Sequence, residues 1–156
     1  MSHELTAVAT VSVVLMRDQS VLVLKEVKSD GRVVLALPGG HVEASEGLLA
    51  AVHREAQEET GLSIRIRGLV QVLFRTWEEG KLSFRQTFVA DITGGELRTE
   101  EGAEALWMSQ DELTAIPADQ WNFGALEAIR LALAGKVISE ECILIRDRAD
   151  IVHISA

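Results

Sequence analysis

Glu55, Glu58 and Glu59 stand at positions i, i+3 and i+4, the spacing that sets side chains on one face of an α-helix. Carboxylates held that close repel one another, and a like-charged i, i+4 pair is unfavourable even in water. A cation relieves that repulsion. Hard oxygen donors suit Mg²⁺ or Mn²⁺, which keep several waters and take up phosphate oxygens. The chemistry such a face offers is the holding of a divalent metal against a phosphate chain. Arg54, four residues before Glu58, is spaced to orient that carboxylate or to offset its charge. The competing reading is a solvated acidic surface, which is common on helices.

The neighbouring residues favour chemistry. Leu49, Val52 and Ala56 recur at i, i+3 and i+7 and form an apolar stripe beside the acids, so the carboxylates sit at the edge of a buried seam. Ala51 falls on the acidic face, where its small side chain leaves room for a ligand. Leu37-Pro38-Gly39-Gly40 closes an apolar run and frees the backbone to approach that ligand. Ser45 is placed to cap a helix from Glu46 to Thr60, and Gly61 follows as its stop.

Residues 40–62 resemble the signature of the Nudix hydrolases, G-x5-E-x7-R-E-U-x-E-E-x-G-U, in which U is a bulky aliphatic residue. All the fixed positions match, at Gly40, Glu46, Arg54, Glu55, Glu58, Glu59 and Gly61. Ala56 departs from the pattern at the first U position, and Leu35 stands where the family often has tryptophan. The resemblance implies an α+β fold, an α/β/α sandwich with a mixed sheet. It implies hydrolysis of a nucleoside diphosphate linked to another moiety, by water attack at phosphorus, with Mg²⁺ (or Mn²⁺) as cofactor. Carried over by position, Glu58 and Glu59 are metal ligands, and Glu55 is a third ligand or the general base. Arg54 fixes a glutamate's orientation, the Gly39 carbonyl completes the coordination, and Glu46 tunes the site from behind. Many members use a further acid from a later loop, and Glu101 and Glu104 are the candidates here. The implied partner is a small-molecule nucleotide derivative. An alternative is a nucleotide-binding sensor without catalysis, although such domains often lose glutamates that this chain keeps. A prenyl diphosphate isomerase shares the fold but depends on further Cys and Glu residues, and Cys142 fits that role poorly.

The elements that must position these groups are legible as periodic runs. Ala7 to Arg17 reads as a buried strand, Asp18-Gln19 as a turn, and Ser20 to Lys25 as the returning strand. Val33 to Leu37 leads into the diglycine. After the helix, Leu62 to Trp77 reads as a long strand bent at Gly68. It turns at Glu78-Glu79-Gly80-Lys81 and returns with Leu82, Phe84, Phe88, Ala90 and Ile92 on one face. Gly94-Gly95 reads as the next turn, Glu104 to Met108 as a short strand, and Ser109 as a helix start. Arg75 and Arg85 lie on the two arms of the hairpin, to bind phosphate or to pair with surface acids. Asn122 is placed either to read a base edge or to cap a helix from Phe123 to Ala134. Trp77 and Trp121 are stacking or core candidates. His41 reads as a turn residue beside the pocket.

The 156 residues suit one domain, and 47% apolar content supplies a core. A tail over 137–155 reads as a β-hairpin, with Ile143 and Ile145 on one strand and Ile151 and Ile154 on the next. It either patches the domain's own sheet or is exchanged in a homodimer. A net charge of −9 without a Lys/Arg cluster argues against a nucleic-acid polymer as partner. It leaves phosphates open, because a bound cation inverts the local field. No apolar run is long enough to span a membrane. The lone Cys142 and the lack of a leader pattern make a cytoplasmic location the expectation.

Overall fold

The computed structural model describes residues 6–78 and 81–139. The expected tail strands beyond Ser139, Cys142, the turn at Glu79-Gly80 and the Trp77 side chain lie outside the described residues. Eight strands and three α-helices follow in the order β1 (Thr6–Arg17), β2 (Ser20–Val27), β3 (Val33–Ala36), β4 (Gly39–His41), α1 (Leu48–Thr60), β5 (Leu62–Glu78), β6 (Lys81–Gly95), β7 (Glu104–Ser109), α2 (Gln110–Ala115), α3 (Ala125–Leu133) and β8 (Ile138–Ser139).

β1 is the spine of the molecule because both its faces are buried. Val11, Val13 and Leu15 pack with Val52 and Ala56 of α1, and Val14 packs on the opposite side with Ala125, Ala128 and Ile129 of α3. A strand covered on both faces reads as an unbroken valine run rather than an alternation, as Val11 to Leu15 does apart from Ser12. That one hydroxyl is satisfied by Thr87, at 2.8 Å. β1 runs parallel to β6 and antiparallel to β4, and it joins β2 through a tight hairpin. The sheet order is β3-β2-β1-β6-β5-β8, with β4 on β1 and β7 on β2. Mixed pairing with α1 on one face and α2 and α3 on the other makes the α/β/α sandwich that the sequence led us to expect.

Several boundaries differ from the sequence reading. The helix starts at Leu48, with Gly47 and not Ser45 at its cap position and no capping side chain. Glu46 is drawn out of the helix because its carboxylate accepts from the Glu43 N–H and from Arg54. Gly94 and Gly95 continue β6, paired with Ser63 and Leu62. The bend expected at Gly68 is a register shift between Ile66 and Gly68. Gly61 ends α1 with φ 69°, donating its N–H to Gln57, a left-handed conformation that favours glycine. The last described strand, β8, pairs with Gly68 and Leu69 of β5.

Candidate active site

Two short devices bring the acidic helix to the diglycine. β4 pairs Gly39, Gly40 and His41 with Ser12, Val11 and Thr10, which lays the glycine backbone across the end of α1. At Gly40 a side chain would displace the Glu55 carboxylate, since a Cβ there would stand 2.4 Å from Glu55 Oε1. The glycine therefore makes the space that the carboxylate occupies.

Arg54 organises the acids. Its Nε and Nη2 donate to Glu46, at 3.0 Å and 2.6 Å, and Nη2 also donates to the His41 carbonyl at 2.9 Å. Its Nη1 donates to Glu55 Oε1 and to Glu58 Oε2, each at 2.9 Å. The Glu46 bond, opposed by burial and helped by Glu58 and Glu55, raises the guanidinium's pKa. Reciprocally, Arg54 and the Glu43 N–H hold Glu46 below the usual carboxylate range.

Glu59 is the acid that Arg54 does not reach. Its Oε2 accepts from the Gly39 N–H at 2.7 Å. Burial pushes its pKa up to about 7; the Gly39 bond opposes that rise, and the charges of Glu55, Glu26 and Glu100 add to it. A partly desolvated carboxylate facing three like charges is short of a cation. The donor set of carboxylates beside a part-buried glycine backbone fits Mg²⁺ or Mn²⁺ on that ground.

The three acids lie on α1 as their spacing predicts, and in this structure each turns to a protein partner. Among the described residues no cluster of three or more His, Cys, Asp or Glu is gathered to hold a metal. Arg54 draws Glu55 and Glu58 to itself while Glu59 turns to Gly39. Ala51 leaves no room for a ligand: it is fully buried in the core under α1, because Glu55, one turn on, is itself buried at 9% exposure.

The later-loop acids also sort differently. Glu104 pairs with Lys25 across β7 and β2 at 3.0 Å. Glu101 is exposed and makes no ion pair or hydrogen bond with α1. Glu100 is the loop residue whose charge reaches Glu59, joined by Glu26 from β2. Neither was found from sequence, since only tertiary folding brings them there; Glu26 also pairs with Lys28.

A cavity of about 230 Å³ opens beside the diglycine, lined by Glu26, Gly39, Gly40, Gln71, Thr87 and Asn122 among others. Asn122 does not cap α3. The helix starts at Ala125 behind Gly124, which has φ 80°, and Asn122 uses its backbone N–H on Leu35 at 2.8 Å. No hydrogen bond engages its side-chain amide among the described residues, and the residue lines the cavity. Gln71 donates Nε2 to the Gly124 carbonyl, and its buried Oε1 has no partner. Trp121 is core, packed among Leu35, Val89 and Ile129.

A second cavity of about 200 Å³ adjoins the first, sharing Thr10, His41 and Arg85 and adding Arg75 and Phe123. Neither arginine pairs with a surface acid among the described residues. Arg85 donates to Thr10 Oγ1 at 3.4 Å and to the Phe123 carbonyl at 3.2 Å. Burial, and then the charge of Arg75, lower its pKa. The Arg75 guanidinium lies 5.1 Å from the centre of the Phe123 ring.

Comparison with known proteins identifies the family and the fold. A family model described as the NUDIX domain matches residues 6–129. The 8-oxo-dGDP phosphatase NUDT18 of Homo sapiens is 32% identical over 123 residues, covering 78% of this chain and 37% of its own length. The ADP-ribose pyrophosphatase of Methanocaldococcus jannaschii is 32% identical over 94 residues, 58% of this chain and 54% of that protein. The chain thus spans between about a third and a half of the length of these relatives. A solved NUDIX hydrolase from Nitrosomonas europaea superposes with a TM-score of 0.80 at 26% identity, covering 92% of this chain and 99% of the other. With the domain model matched over residues 6–129 and the fold superposing on a solved member, the chain belongs to the NUDIX hydrolase family.

Proposed function

We propose that the chain is a divalent-metal-dependent pyrophosphohydrolase, cleaving a nucleoside diphosphate linked to another moiety by attack of water at phosphorus. The observation that carries this reading is Glu59: half-buried, bonded to the Gly39 N–H, raised in pKa by burial and by neighbouring acids, and not bonded by Arg54, it is placed to bind a cation. Glu58, Glu59, Glu55 and the Gly39 carbonyl would hold Mg²⁺ or Mn²⁺. When bound, the metal neutralises phosphoryl oxygens and makes water a better nucleophile.

The chain's own groups do the rest. Arg54 fixes Glu55 through Oε1, and Oε2 has no hydrogen-bond partner among the described residues, which leaves it to take the proton of the attacking water. Asn122 presents an amide that can pair with a base edge. The relatives named for 8-oxo-dGDP and for ADP-ribose define the range of nucleotide derivatives in which the substrate is to be sought.

The test is product release over a panel of such derivatives with Mg²⁺ and Mn²⁺, with and without chelator. Glu58→Gln and Glu59→Gln are each expected to lower kcat by at least about a hundredfold with unchanged circular dichroism. Full activity in either variant removes the assignment, and tight nucleotide binding with no product in wild type makes the domain a sensor.

A further inference from the structure

We propose that Arg85, Arg75 and Phe123 form a second anion subsite, which receives a phosphate or carboxylate lying outside the scissile diphosphate. The preferred substrates are then nucleotide derivatives whose linked moiety is itself anionic. This rests on the hydrolase reading for the word substrate, but the subsite stands on its own geometry.

The argument begins with donors. An arginine carries five N–H groups in a rigid fork suited to carboxylate and phosphate. Arg54 shows the satisfied case, with bonds from all three of its nitrogens to four acceptors. Arg85 is half-buried and makes two bonds, both long and both to neutral oxygens. Among the described residues it has no carboxylate partner, whereas Arg32 and Arg65 have each found an aspartate. A desolvated cation without a counter-charge is unfavourable. A second cation, Arg75, makes it more so, and both line one cavity. Two guanidinium groups lining one cavity repel, and an anion between them relieves that repulsion.

Position separates this pair from the diphosphate. Gly39 pairs with Ser12, which pairs with Thr87, while Arg85 lies two residues back along β6 and Arg75 pairs with Ser83, two further. At about 3.3 Å per residue, the backbone positions of Arg85 and Arg75 lie roughly 7 and 13 Å along the sheet from the Gly39 row. Arg85 lines both cavities and so stands at their junction, while Arg75 lines only the second, on the side away from the diglycine. Each cavity alone, at about 230 and 200 Å³, is below the usual size of a ligand pocket, roughly 300 Å³ and above. Joined through Thr10, His41 and Arg85, they reach it. The acidic end then takes the metal and diphosphate, and the cationic end takes a charge on the group beyond.

Two measurements test this. Inorganic phosphate is titrated calorimetrically into the full chain in chelator, where the acidic end repels anions. Binding is expected in wild type, at least tenfold weaker in Arg85→Gln, and equal affinity in the two overturns the subsite. Turnover is then compared within matched pairs. UDP-glucuronate against UDP-glucose probes a carboxylate; ADP-ribose with and without a phosphate on its terminal ribose probes a phosphate. A tenfold or greater preference in KM for the anionic member of at least one pair, shrinking toward unity in Arg85→Gln, supports the proposal. No preference in either pair, or an equal loss on both members, overturns it and makes Arg85 a group that positions the scissile diphosphate. If Arg85→Gln does not fold, Arg75→Gln at the exposed position carries the same comparisons. Phosphate binding that depends on Arg85 in a protein that turns nothing over supports the subsite while failing the hydrolase reading.

Discussion

Arg54 is the residue on which the acidic face depends, because one planar fork holds Glu46, Glu55, Glu58 and the His41 carbonyl at once. Lysine has three donors on one nitrogen and cannot serve four acceptors in those directions. Arg54→Lys is therefore expected to lower kcat by at least about tenfold and to lower the melting temperature by several degrees, as activity and thermal scans will report. Glu59 gives the complementary experiment. Mg²⁺ is expected to raise the melting temperature of the wild type, and Glu59→Gln to remove most of that rise while leaving the metal-free protein no less stable. An equal rise in both would place the cation elsewhere. Arg54, Glu55, Glu58 and Glu59 were legible in the sequence because all four lie within two turns of one helix, where spacing alone sets direction. Glu26, Glu100 and Gln71 were not, because they reach the site from three other segments and only the closed sheet brings them together. Ala51 was misread for a related reason. Spacing places it on the face of Glu55 but cannot tell that this face turns inward.

At the scale of elements, turns and caps decide what the periodic runs leave open. The β1–β2 hairpin turns through Asp18 and Gln19, both at positive φ, 47° and 65°. Two successive left-handed residues are what a two-residue hairpin of matching twist requires, yet glutamine adopts that region at a cost of about 1 kcal/mol. Gln19→Gly is expected to stabilise the protein by up to that amount, less the added freedom of the unfolded chain, in a urea titration. Helix α2 carries a full capping box, with Ser109 and Glu112 bonded reciprocally. The Ser109 backbone N–H and hydroxyl lower the pKa of Glu112 from 4.5. A depressed carboxylate stabilises the fold above its unfolded pKa and loses that contribution as the pH falls through its folded value. Acid titrations of stability should accordingly show a shallower loss below about pH 4.5 in Glu112→Gln than in wild type. The sequence marked this helix start correctly. It misplaced the starts of α1 and α3 because Glu46 and Asn122, each a plausible first-turn or capping residue by type, are engaged by partners distant along the chain.

For the molecule as a whole, the mixed sandwich was legible because the strands are long and bounded by strong turn signals. The pairing order was not, since a parallel β1–β6 pair leaves no local trace. Among the described residues, no helix is long and apolar enough to cross a membrane. The segment after α3 returns to the sheet as β8, and at Gly68 a Cβ would stand 2.2 Å from the Ile138 carbonyl, so the edge of β5 is shaped to receive it. A chain ending at Gly135 would expose that edge. It is expected to melt at a lower temperature with an unchanged sedimentation mass, and a halved mass would instead make the tail a dimer arm.

The row His41–Thr10–Arg85, three residues abreast on β4, β1 and β6, fixes the length scale of the site. Both ends of the joined cavity are stitched to the same central strand, so their separation is counted in backbone repeats. Side-chain rearrangement leaves that backbone offset unchanged and adjusts only how far each head group reaches. A slip by one residue would turn every side chain of the moving strand to the wrong layer, so the protein has no gradual route to a longer or shorter guest. Its choice of ligand is gauged by a rigid yardstick, and a new length preference would have to come from rebuilt loops.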